Sequence, residues 1–294
     1  MFNQLKTYLK RFPSVVSAYE LVPRFIYNSR NVIRDIRDTY LRSPIKSIDT
    51  PYGFRLKGSS EMHHRNMQSG VFEEEETALM RQHMSQSDIF VDVGANIGFY
   101  SCFARSMGKH VISIEPLSRN LSNLYDNLID NNWTDVEVFP VGLSDKPGLA
   151  VLYGASSTGA SLISKWAGAS PRFNRIIALS TLDTVLSNRF EGKRLFIKID
   201  VEGMEYPVLL GANRTLTMTP KPTWLLEICL NEFYPAGANP NYLATFELFW
   251  RNGYEVRTAD RHRRLIQHTD VQRWAEEQNS DSGVINYIFI PISN

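Results

Sequence analysis

The stretch "IFVDVGANIGFY", Ile89 to Tyr100, reads as a strand, a tight turn and the start of a helix. Glycine-rich turns at helix starts usually hold phosphate on exposed backbone N–H groups. This one carries a carboxylate, Asp92, two residues before its first glycine. A dinucleotide turn wants G-x-G-x-x-G. Here Gly94 and Gly98 flank Asn96, and Phe99 or Ser101 stands where a third glycine belongs. No Gly-Lys-Ser/Thr follows, so the P-loop pattern is absent as well. Asp92 would repel a diphosphate.

A cationic ligand removes the conflict. S-adenosylmethionine carries a sulfonium, an ammonium and one carboxylate, and no phosphate. Asp92 suits the ammonium, directly or through water. Glycine lacks a Cβ, so the Gly94 and Gly98 backbone can approach the methionine moiety. Asn96 tolerates left-handed backbone better than most residues. The second strand, "HVISIE", ends at Glu115, where an acidic side chain can accept hydrogen bonds from both ribose hydroxyls. Nicotinamide enzymes use the same device, so the choice rests on Asp92, Gly94, Asn96, Gly98 and Glu115 together. The third strand, "VEVFPVGL", leads into "VGLSD", where Ser144 or Asp145 either bonds the adenine amine or serves a plain turn.

Outward from this turn, strands and helices alternate. "GFYSCFARSMG" is a helix, and "RNLSNLYDNLIDNN" is another, with Leu121, Leu124 and Leu128 on one face. "RLFIKID", "PTWLLEICL", "YEVRTA" and "NYIFIPI" are further strands; "EYPVLLGANRTL" and "YLATFELFWRNG" are helices. Such alternation predicts a doubly wound α/β sheet of about seven strands, mostly parallel, with an antiparallel edge and helices on both faces. Ligands in such sheets bind beyond the carboxyl ends of the strands. Residues 142–195 break the rhythm. "GLAVLY" and "NRIIALST" suit an extra hairpin around a Gly-, Ser- and Ala-rich stretch, an expected acceptor-side insertion. Before the sheet, "DTPYGFRL" suggests a short hairpin, and Glu73 to Glu76 open a helix whose dipole they oppose as a solvated run.

Residues 1–48 form a separate region, with residues 49–294 as the main domain. Leu5, Tyr8, Leu9 and Phe12, then Val32, Ile33, Ile36 and Tyr40, fall at helical spacing among basic side chains. This extension packs on the main domain or a second subunit, or it touches anionic membrane. The 294 residues carry a formal net charge of +1, so no global basic field argues for nucleic acid. Cys102 and Cys229 lie in no metal or redox spacing and read as buried free thiols. No apolar run approaches the ~20 residues of a membrane span. "MFNQLKTYLKRF" is interrupted by Lys6, Lys10 and Arg11, unlike a signal peptide. A cytoplasmic protein is expected, possible membrane contact resting on residues 1–48.

"FVDVGANIGFYS", "ISIEP", "VGLSD", "STLD" and "IKIDVEGMEYPVLLGA" resemble, in order and spacing, the FkbM family of S-adenosylmethionine-dependent methyltransferases. The likeness runs from about Thr50 to Ile290, and the last motif is the most specific. It implies a class I, Rossmann-like methyltransferase fold. It also implies transfer to oxygen, commonly a hydroxyl of a sugar, glycan or secondary metabolite. N-methylation of a small amine, and a binding or scaffold protein that keeps the fold without turnover, are the alternatives.

Methyl transfer to a hydroxyl is an in-line displacement that must also remove a proton, through a general base or a metal. In "IKIDVEGME", Lys198 and Asp200 share one face of a strand. Asp200 is the leading candidate for a base or acceptor-orienting group, with Glu202 next and Glu205 as a helix-start carboxylate. The buried Lys198 needs a partner, and Glu227 on the adjacent strand is that partner or faces the acceptor. A divalent metal could sit among these carboxylates, but no ligand spacing demands one. His63 and His64 precede the alternating region and are expected at the surface, or else cover the site as a base. "NPNY", Asn239 to Tyr242, follows the fifth strand and reads as a helix-start loop.

Overall fold

The computed structural model describes residues 46–154, 159–235 and 237–292. The readings of residues 1–45 as basic helices, a membrane surface or a dimer contact lie outside these described residues. A short antiparallel pair, β1 (Ile48–Asp49) and β2 (Arg55–Leu56), turns at Gly53 in left-handed backbone. Two helices follow, α1 (Glu61–Ser69) and α2 (Glu74–Gln86). Helix α1 was not expected. Ser60 caps it by accepting the His63 N–H, and Gly70 ends it in left-handed backbone.

The main sheet comprises β3 (Ile89–Val93), β4 (His110–Ile114), β5 (Glu137–Phe139), β9 (Leu195–Ile199), β10 (Thr223–Glu227), β11 (Tyr254–Thr258) and β12 (Asn286–Pro291). Their order is β11-β12-β10-β9-β3-β4-β5. All pairings from β10 to β5 are parallel, and β12 runs antiparallel to both β10 and β11, giving that edge its antiparallel pairing. The chain reverses its winding between β3 and β9, so the connections that leave these paired strands part in opposite directions, and a ligand crevice is expected at the carboxyl ends.

Side-chain alternation divides the core between the two faces. Val91, Val93, Ile197, Ile199, Trp224 and Leu226 join one cluster with α5 (Leu182–Leu186), α6 (Glu205–Leu210), α7 (Asn213–Thr217), α8 (Tyr242–Arg251) and α9 (His268–Glu277). Phe90, Val111, Phe196 and Leu225 join the other, with α1, α2, α3 (Phe99–Ser106) and α4 (Ser118–Asp130). Continuous burial of β3 and β9 on both faces is what a central parallel strand requires.

Two elements differ from expectation. "VEVFPVGL" is not one strand. Pro140 has no N–H to donate, and beyond it β6 (Gly142–Leu143) leaves the main sheet to pair with β8 (Asn174–Ser180). The "EYPVLLGANRTL" helix is two, α6 and α7, separated at Gly211 and Ala212, where the chain turns against Ser144: a Cβ on Gly211 would lie 2.2 Å from the Ser144 carbonyl oxygen. The expected hairpin in the insertion is present as β7 (Gly148–Tyr153) antiparallel to β8. Cys102 and Cys229 are both buried and free. No helix among the described residues is long and apolar enough to cross a membrane.

Candidate active site

The parallel register sets a polar row beneath the glycine turn. Ser113, Asp92 and Lys198 are lateral neighbours on β4, β3 and β9. Helix α3 lies over them. Its Ser101 hydroxyl donates to Asp92 at 2.6 Å and contacts the Ser113 hydroxyl at 2.7 Å. Lys198 Nζ sits 5.2 Å over the Tyr100 ring and 2.8 Å from Asp200 Oδ2. Lys198 is therefore partnered by Asp200, not by Glu227 as one sequence reading had it. Burial alone would lower the Lys198 pKa, but the carboxylates of Asp200, Asp92 and Glu73 outweigh it and hold the ammonium charged. Burial pushes the Asp92 carboxyl up, and Lys198 opposes that rise.

A cavity of about 300 Å³ opens above this row. Asp92, Gly94, Asn96, Glu115, Asp200, Glu202 and Glu227 all line it. The structure thus gathers seven of the ten residues singled out in the sequence. Gly98, Ser144 and Asp145 are not in its wall. Gly98 starts α3 in left-handed backbone, and a Cβ there would lie 2.3 Å from Leu124 Cδ1. At Gly94 a Cβ would come within 1.9 Å of the Asp200 carbonyl oxygen. Close packing inside the protein alone requires both positions to lack a side chain. The Ser144 hydroxyl turns to Asp145 at 3.0 Å and its N–H donates to Ser180 at 2.9 Å.

Asn96 adopts φ 52°, the left-handed backbone expected of it. Its N–H donates to Glu115 Oε2 at 2.8 Å, and the Leu117 N–H donates to Oε1 at 2.8 Å. Burial pushes Glu115 up to about 7, against these two donors and the Asn120 side chain. Three donors on a carboxylate's roughly four acceptor sites leave capacity for one more, so Glu115 can still accept a hydroxyl.

The carboxylates after β9 have separate duties. Ile199 pairs with Leu226, so Asp200 and Glu227 follow side by side on adjoining strands. Glu202, in left-handed backbone, accepts from the Gly159 N–H at 2.9 Å and from Trp166 Nε1 at 2.6 Å. It fastens the insertion to the β9–α6 turn. Gly203 completes that joint, since a Cβ there would meet the Trp166 ring at 2.6 Å. Glu205 accepts from the Val201 and Gly203 N–H groups, as a helix-start carboxylate should. Among the described residues, Glu227 accepts a long contact from the Cys229 thiol at 3.8 Å, and burial followed by repulsion from Asp200 raises its pKa.

The cover over the turn was not read from the sequence. Ser59, His63, Met67, Phe72 and Glu73 line the cavity from the segment before β3. Glu73 is not simply part of a solvated run: it adopts φ 43° and its carboxylate accepts the Tyr100 hydroxyl. His63 is half-buried against Phe72, and His64 is buried with its Nε2 facing the Ser59 N–H, so neither sits at the open surface. The bracket Ser60 to Gly70 was the available signal for α1. Among the described residues, no group of three or more His, Cys, Asp or Glu side chains is arranged to hold a metal ion.

A seven-stranded sheet with this order, a crevice at its switch point and carboxylates at the ends of β3 and β4 define a class I, S-adenosylmethionine-dependent methyltransferase. The methyltransferase FkbM domain model matches residues 92–256, more than half of the chain, and the chain belongs to that family. No curated protein sequence matches it significantly. Remote structural likenesses include the methyltransferase domain of bacterial CtHen1 (10% identity, 75% of this chain and 99% of that one, TM-score 0.42). Others are precorrin-6y C5,15-methyltransferase from Geobacter metallireducens (13%, 74% and 89%, 0.38) and a putative RNA methyltransferase from Pyrococcus horikoshii (12%, 89% and 98%, 0.34). These scores are too low to carry an acceptor across, and they lend no support to excluding nucleic acid.

Proposed function

We propose that this protein transfers the methyl group of S-adenosylmethionine to a hydroxyl of a sugar, glycan or other metabolite. The observation that carries this reading is the pair Asp200 and Glu227, two carboxyls side by side in the same cavity wall as the Asp92 turn and Glu115. S-adenosylmethionine supplies an electrophilic methyl group on its sulfonium. The residues fit it by charge. The cavity floor holds Asp92, Asp200 and Glu73 around the single ammonium of Lys198, an excess of negative charge that suits an ammonium and a sulfonium. Asp92 takes the amino-acid end and Glu115 the ribose.

Asp200 is the general base. Its salt bridge to Lys198 keeps the carboxylate oriented at the strand end, with one oxygen committed and the other available to the acceptor hydroxyl. Glu227, its neighbour, orients the acceptor. Glu202 acts through Trp166 and Gly159, positioning the insertion loop that borders the acceptor. The test is mass spectrometry of glycans and metabolites from cells with and without the gene. A mass difference of one methyl on a hydroxyl is expected. A methylated amine or nucleic acid as the only difference would refute the acceptor class. Failure to bind S-adenosylhomocysteine would remove the cofactor assignment.

A further inference from the structure

We infer that the β7–β8 hairpin of the insertion is a wall of the nucleoside subsite, so the insertion serves the cofactor as well as the acceptor. This rests on the reading of the cavity as an S-adenosylmethionine site. Strand order separates the cavity into two ends. Asp200 and Glu227 stand at β9 and β10, on one side of the glycine turn. Glu115 stands on the other side, at the end of β4.

The wall beside Glu115 is apolar. Pro116, Leu143, Leu152, Leu162 and Ile177 all line the cavity. Leu152 and Ile177, from the hairpin, are buried in one cluster with Leu117, whose own N–H donates to Glu115. Strand β6 presses onto them: a Cβ on Gly142 would lie 2.9 Å from Ile177 Cδ1. Tyr153 and Ser161 exchange backbone bonds of 2.8 and 3.0 Å, which tie the hairpin to the loop carrying Leu162. An apolar slot beside a carboxylate with capacity left for a sugar hydroxyl fits an adenosine: a flat ring with two faces to desolvate and a ribose next to it. The hairpin's opposite face lacks this fit. Ile176 is 72% exposed while Ile177, the next residue, is 8% exposed.

The experiment measures binding by calorimetry, using S-adenosylhomocysteine and methylthioadenosine. The second probe keeps the nucleoside and lacks the amino acid. Ile177→Asp should weaken both probes at least tenfold and by similar factors. Ile177→Ala, milder if the aspartate unfolds the hairpin, should weaken both severalfold with an unchanged far-ultraviolet spectrum. Ile176→Asp, one residue away on the outer face, should leave both affinities unchanged. If the wild type binds both probes and folded Ile177 variants bind methylthioadenosine as tightly, the hairpin assignment is overturned while the cofactor site stands. If the wild type binds neither, both fall together.

Discussion

The β9–β10 end of the cavity and the β4–β6 end are built by different devices. At the first, ionisable side chains hold one another: Asp92 with Ser101, Lys198 with Asp200, Tyr100 with Glu73. At the second, one carboxylate is held by backbone N–H groups, and the rest of the wall is shape. A charge network places groups by mutual attraction, so altering one member changes the protonation of the others. A backbone cradle fixes its carboxylate whatever the neighbours carry. The first arrangement suits chemistry that moves a proton, and the second suits recognition that must not change during turnover.

The sharpest way to break this contrast is Asp200→Asn. As the base, Asp200 should be worth roughly 10²–10⁴-fold in turnover. We expect that loss with S-adenosylhomocysteine affinity nearly unchanged, read by steady-state rates beside calorimetry. Wild-type turnover would dismiss Asp200 as base. Lys198→Met probes the network itself. Lys198 is the one Lys or Arg among the described residues lining the cavity. Removing one partner of a buried ion pair typically costs about 3–5 kcal/mol. Without the ammonium, the folded-state pKa of Asp92, already raised by burial, rises further above its unfolded value. The folded state then binds more protons than the unfolded chain, so stability falls as pH rises through that window. The deficit in urea denaturation should be larger at pH 8 than at pH 5. An equal deficit at both would mean packing, not charge, is what Lys198 supplies.

Much of the wall around the glycine turn was legible because its pattern is local. Asp92, Gly94, Asn96 and Glu115 lie on one strand–turn–helix–strand unit, and the left-handed Asn96 follows from its residue type. The reasons for the glycines were not legible. Gly94 answers to the Asp200 carbonyl and Gly98 to Leu124, contacts that only the fold creates. Glu202 looked catalytic beside Asp200, yet its partners Gly159 and Trp166 come from a loop far away in sequence. The insertion read as acceptor-side because it interrupts the rhythm. Its hairpin was legible as a hairpin, but alternation alone could not say that the Leu152 and Ile177 face would turn toward Glu115. The Glu73 to Glu76 run shows the same limit: its first member bends into the cavity through a strained backbone that composition does not announce.

A smaller effect belongs to Glu115. Its carboxyl is held up to about 7 by burial, so it is about half ionised at neutral pH. Ribose hydroxyls donate best to the ionised form, so S-adenosylhomocysteine affinity should rise from pH 6 to pH 8. In Glu115→Gln the affinity should fall roughly tenfold, the worth of a charged hydrogen bond, and lose that slope. Folding stability takes the opposite sign: a carboxyl whose folded pKa exceeds its unfolded one makes the native state lose stability as pH rises from about 4.5 to about 7. A retained binding slope in the variant would assign the titration to another group.

The smallest effect separates the cavity wall from its surroundings. Asp145 is exposed, and the chain around it is turned elsewhere: the Ser144 N–H is committed to Ser180 on β8, the Ser144 carbonyl abuts Gly211, and the Ser144 hydroxyl donates to Asp145 itself. Asp145 is not among the residues that line the cavity, so a bond from it to an adenine amine would need the β6 turn to move. Asp145→Ala should therefore change S-adenosylhomocysteine affinity by less than about twofold, since surface substitutions away from a site are usually within ±0.5 kcal/mol. Calorimetry on this variant decides between the two ways of closing the nucleoside end. A tenfold loss would mean that the turn swings in to bond the base, whereas an unchanged affinity leaves recognition to the apolar wall and to Glu115.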